Sequence, residues 1–99
     1  PEPEIWRRQQ EFGQVLKQVQ TGPLPYDPKH NIPWGKAWNT TKEPKSCSRW
    51  TALLPGILLG VTIEIPYANV AGRPVTPETA RLLGRDLARA MRRYLQQSP

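Results

Sequence analysis

The sequence predicts an α/β fold, and three segments carry that expectation. Residues 57–65, Ile-Leu-Leu-Gly-Val-Thr-Ile-Glu-Ile, form a β-branched apolar run. Residues 4–20 and 77–95 place apolar side chains at helical spacing on either side of it in the chain. The expected order is helix, long loop, short helix, strand, helix, within one partial domain spanning residues 1–99.

The first helix is expected over 4–20. Pro3 suits an opening turn, and Glu2 and Glu4 lie where the positive end of the helix dipole favours carboxylates. Ile5, Phe12, Val15, Leu16 and Val19 share one face, and five glutamines fill much of the other. Gly22-Pro23 ends the pattern.

Residues 22–45 predict a loop, because Pro23, Pro25, Pro28, Pro33 and Pro44 interrupt any period. Tyr26, Trp34 and Trp38 lie within it, either as anchors to a supporting body or as the lining of a cleft. A short helix is expected over 46–54, stopped by Pro55-Gly56. The strand follows over 57–65, bounded by Pro66. Ile57, Leu59, Val61, Ile63 and Ile65 share one face, and Leu58, Gly60, Thr62 and Glu64 the other. So continuous an apolar run predicts a buried central strand covered by helices on both faces.

The last helix is the clearest. Thr76 is the expected N-cap, with Pro77 at the first position and Glu78 in the first turn. Ala80, Leu83, Leu87, Ala90, Met91 and Tyr94 make the expected apolar stripe. Arg81, Arg85, Arg89, Arg92 and Arg93 fall mostly opposite. A single strand satisfies neither its own backbone nor its two faces. The remaining strands are therefore expected from an upstream part of the same domain or from a partner chain.

Composition narrows the function classes. The net charge of +6 divides evenly between the two halves of the chain, so there is no basic tail. An arginine-rich helix face could meet phosphates, but a solvated surface is the favoured reading, and no exposed aromatic pattern accompanies it. Nucleic acid is therefore not the expected partner. Cys47 is the single cysteine and His30 the single histidine, so neither an internal disulfide nor a zinc site with three or four His, Cys or acidic ligands is expected. The longest apolar stretch, 52–65, is too short to span a bilayer and carries Pro55 and Glu64. Neither a membrane span nor a signal segment is expected, and the compartment is left open.

Glu64 is the candidate catalytic residue. It falls near the carboxyl end of the expected strand, where ligands bind in open α/β sheets. A carboxylate in partly apolar surroundings there suits a general base. The competing reading makes Glu64 and Thr62 the solvent side of an amphipathic strand, and the pattern alone leaves both open.

Three motifs together resemble a known family. Val61-Thr62-Ile63-Glu64-Ile65-Pro66-Tyr67, then Val75-Thr76-Pro77-Glu78, then Leu83-Gly84-Arg85-Asp86-Leu87-Ala88-Arg89-Ala90, look like the C-terminal portion of bacterial zinc carboxypeptidases of the carboxypeptidase A type. Trp34-Gly35, Trp38-Asn39 and Ser48-Arg49-Trp50 are similar to the preceding loop and short helix of a bacterial subgroup. The resemblance implies the closing segment of a metallocarboxypeptidase-like sheet with flanking helices. It implies a hydrolase acting on a peptide-like substrate, with Glu64 as general base and zinc in the intact parent domain. No residue here matches the family's metal ligands, so the chain alone is expected to hold no zinc and to be inactive. Two rivals stand beside this reading: a non-catalytic module that completes its sheet on a partner, and a small basic nucleic-acid-binding protein.

Overall fold

A computed structural model describes residues 4–32, 36, 50–51 and 54–97. Its body is two helices packed on each other. Helix α1 is Glu4–Val19 and helix α2 is Pro77–Gln97. Between them lie a short 3-10 turn at Pro28–His30 and a small antiparallel hairpin, β1 (Asn69–Val70) with β2 (Arg73–Pro74).

Helix α1 forms where its apolar period and its terminal charges agree. Glu4 binds the guanidinium groups of both Arg7 and Arg8, and Arg7 also binds Glu11. These pairs stand one turn apart on an exposed face. The buried face comprises Trp6, Phe12, Val15, Leu16 and Val19. Gly13 also lies on it. Trp6 joins the core, whereas the expected Ile5 is only half-buried.

Helix α2 begins with a reciprocal cap. The Thr79 N–H donates to the Thr76 hydroxyl at 3.1 Å, and the Thr76 N–H donates to the Thr79 hydroxyl at 2.7 Å. This arrangement satisfies two donors that a helix start leaves free. The buried face differs from the expected stripe. Leu83, Asp86, Ala90 and Tyr94 are buried, while Ala80 and Met91 are exposed and Leu87 is half-buried. The stripe is rotated toward α1, the helix that α2 packs on among the described residues. Phe12 and Tyr94 meet edge to face, with ring centroids 5.8 Å apart. Around them Val15, Leu16, Val19 and Ala90 close the core.

The expected buried strand is corrected. Among the described residues, 57–65 belongs to no sheet, and no backbone group of 58–66 bonds to another backbone group. The side chains of α1 reach it instead. Arg8 donates to the carbonyls of Ile57 at 3.0 Å and Leu58 at 3.2 Å, and Gln9 donates to that of Gly60 at 2.7 Å. Residues 61–66 are exposed, with Val61, Ile63 and Ile65 at 40, 41 and 47%. A ladder needs a neighbouring strand, and none is paired with this segment among the described residues. The two strands present among the described residues lie further on, between Pro66 and the last helix, where the sequence reading assigned no element. Ala71 and Gly72 both have positive φ, 50° and 81°, as the tightest hairpin turns ask. Most of the short helix expected over 46–54, and the loop residues Trp34 and Trp38, lie outside the described residues; Trp50 and Thr51 are helical.

Candidate functional site

The two helices and the 61–66 segment enclose an open cavity of about 360 Å³. Its floor is apolar. Helix α1 contributes Ile5, Phe12 and Leu16, α2 contributes Leu83 and Leu87, and the loop after α1 contributes Leu24. Residues 61–66 form the opposite wall. The polar groups on its surface are Gln9, Tyr26, Asp27, His30, Asn31, Thr62 and Glu64. An apolar cleft with a few polar side chains is the usual form of a ligand site.

The loop wall is held from several directions. Gln20 grips the backbone of Tyr26 twice: its amide donates to the Tyr26 carbonyl at 2.8 Å and its carbonyl accepts from the Tyr26 N–H at 2.9 Å. The Tyr26 hydroxyl donates to Asn31 Oδ1 at 2.8 Å. Burial raises the pKa of that phenol, and the Asp27 charge adds to the rise, while the bond to Asn31 opposes it. Asp27 accepts from the Lys29 N–H at 3.0 Å, capping the 3-10 turn. That bond, with Lys17 and Lys29 nearby, holds its carboxyl below the ordinary carboxylate range.

The start of this loop is fixed by α2. Asp86 is 1% exposed. Its carboxylate accepts from the Thr21 and Gly22 N–H groups, each at 3.0 Å. One turn later, Arg89 donates to the Val19 carbonyl at 3.0 Å, at the open C-terminal end of α1. The sequence reading placed Arg89 on an arginine-rich face opposite the apolar stripe and gave Asp86 no role beyond that of a local partner there. Their partners are about 65 to 70 residues away in the chain, so no local pattern could reveal them. The one available sign was an aspartate three positions beyond an apolar pair, Leu82-Leu83, inside the helical register.

Glu64 lies on the cavity wall with Thr62. It is exposed, and among the described residues it has no ion-pair or hydrogen-bond partner. Val61, Ile63 and Ile65 line the same cavity, so the expected division into two faces is not observed. Zinc does not fit the described residues: no three His, Cys, Asp or Glu side chains among them are grouped as a metal ion would need. His30 reaches the cavity, whereas Cys47 lies outside the described residues. No helix among the described residues is long and apolar enough to cross a membrane.

Comparison of the chain with protein-family models, curated proteins and solved structures finds no match.

Proposed function

We propose that this chain is the closing segment of a carboxypeptidase-like hydrolase domain and that Glu64 is its general base. The observation that carries the reading is the 58–66 segment. It is strand-like in sequence, its backbone has no ladder partner among the described residues, and its apolar side chains are half open to solvent. Backbone groups without ladder bonds beside exposed isoleucines are what a sheet strand presents before its neighbours are in place. The cavity is then the unfilled side of a larger core, with Glu64 at its wall.

In this reading the substrate is a peptide. A free carboxylate beside an apolar cavity can accept a proton from the attacking water and return it to the departing amine nitrogen. Any metal belongs to residues other than those described, and the purified chain is expected to retain no stoichiometric zinc. The test is turnover of the intact protein on peptides, with and without Glu64→Gln. The substitution keeps the shape and removes the proton acceptor. It should lower kcat by about 10²–10⁴, the usual range for general acid–base catalysis, with substrate affinity nearly unchanged. Equal kcat values would remove Glu64 from the mechanism.

The same segment without a ladder partner favours one second reading, a non-catalytic module that completes a sheet with a partner. That reading expects no peptide turnover, and it expects Glu64→Gln to be silent while proline substitution within 61–65 abolishes assembly.

A further inference from the structure

We infer that the outer face of α2 is an interaction surface for an acidic, apolar-faced segment of another polypeptide. The face turned from α1 is neither uniformly polar nor closed. Ala88, Met91 and Leu95 follow one another at three- and four-residue spacing, so they lie on one line along the helix. All three are exposed, Met91 at 52% and Leu95 at 61%. Gly84 continues the line toward the N-terminus, with nothing within 4 Å of where a Cβ would stand. A backbone could approach closely there. This stripe is distinct from the buried side of α2, which Leu83, Asp86, Ala90 and Tyr94 occupy.

Charge selects the partner. Arg81, Arg85 and Arg92 run beside the stripe, and all three are exposed. Among the described residues none of them has an ion-pair partner within 4.0 Å. Glu4 and Glu11 are engaged with Arg7 and Asp86 with the α1 loop, while Glu78 in the first turn of α2 is exposed and has no ion pair within 4.0 Å among the described residues. Three free guanidinium groups along an apolar line complement carboxylates along an apolar line. A second copy of this chain would set the same arginine row and the same +6 charge against itself. An apolar strip this narrow, with one cationic border, fits a helix-sized partner better than a lipid surface, which rewards a broad apolar face.

The probe is a synthetic helical peptide with leucines at positions i, i+4 and i+7 flanked by glutamates, beside an identical peptide with lysines in place of the glutamates. The chain should bind the glutamate peptide and not the lysine peptide. Replacing Arg81, Arg85 and Arg92 with glutamine should weaken binding by about tenfold, as loss of several exposed pairs implies. Met91→Ala with Leu95→Ala should weaken it by a similar factor. These side chains are exposed, so circular dichroism should stay unchanged. Where a variant does unfold, the wild-type chain decides alone: its affinity for the glutamate peptide must fall with added salt and vanish when the peptide leucines become alanines. Equal binding of the two peptides overturns the inference. So does tighter binding to anionic phospholipid vesicles or duplex DNA than to the glutamate peptide, or self-association in sedimentation.

Discussion

Gly13 and Gly84 both sit in helix interiors, and their surroundings give them opposite consequences. A Cβ on Gly84 would meet nothing, so Gly84→Ala gains helix propensity at no steric cost. It should stabilise the chain by about 0.5–1 kcal/mol. A Cβ on Gly13 would stand 2.7 Å from the Tyr26 hydroxyl. That hydroxyl is held by Asn31 and cannot move without losing its bond. Gly13→Ala should therefore lose in the Tyr26–Asn31 bond, about 0.5–1.5 kcal/mol, at least what it gains in propensity. In a Tyr26→Phe background the obstacle is gone, and Gly13→Ala should stabilise as Gly84→Ala does. Urea melts of the four variants form a double-mutant cycle. Additivity of Gly13→Ala and Tyr26→Phe would show that the hydroxyl is not what excludes the methyl group.

Between elements, the docking of α2 on α1 combines the aromatic pair with the Asp86 and Arg89 contacts. Asp86 is a buried carboxylate whose compensation is two backbone N–H groups of the loop leaving α1. Asp86→Ala leaves those donors without an acceptor in a part-buried place, and it should cost roughly 1.5–3 kcal/mol. Arg89→Gln removes the bond to the Val19 carbonyl and should cost about 1 kcal/mol. Arg81→Gln, on the same helix with no partner, should change stability by less than about 0.5 kcal/mol. Thermal or urea unfolding orders the three. An Asp86→Ala effect no larger than that of Arg81→Gln would mean that the α1 loop is held by something other than this carboxylate. Two of these arginines looked equivalent in sequence, since helical spacing alone does not say which one meets the end of another helix.

Across the whole molecule, the two phenols on the core side give a pH dependence with a definite sign. Burial raises the pKa of both Tyr26 and Tyr94, and the charge of Glu11 adds to the rise at Tyr94. An acid whose folded pKa exceeds its unfolded pKa holds its proton more tightly when folded. Its contribution is complete below the unfolded tyrosine value of about 10 and is lost as pH rises through the folded value. The chain should thus be insensitive at this end until about pH 10 and lose stability above it. Phenylalanine at both positions should flatten that alkaline limb of the unfolding free energy. An unchanged limb in the double variant would place the titrating groups elsewhere.

Sequence by itself determined the two helices almost to the residue, and for local reasons. Glu4 at the first turn, Thr76 before Pro77, and apolar side chains at three- and four-residue spacing act within one or two turns of each other. The hairpin was less legible: Gly72 marks a turn, but Ala71 at positive φ gives no sign, because alanine seldom adopts it. Only the tertiary structure decided which face of α2 is buried, that Asp86 and Arg89 fasten the end of α1, and that Gly13 makes room for a tyrosine. It also decided the state of residues 57–65. Their composition asks for a central strand, but a strand is a relation between segments, and among the described residues no second segment supplies the ladder.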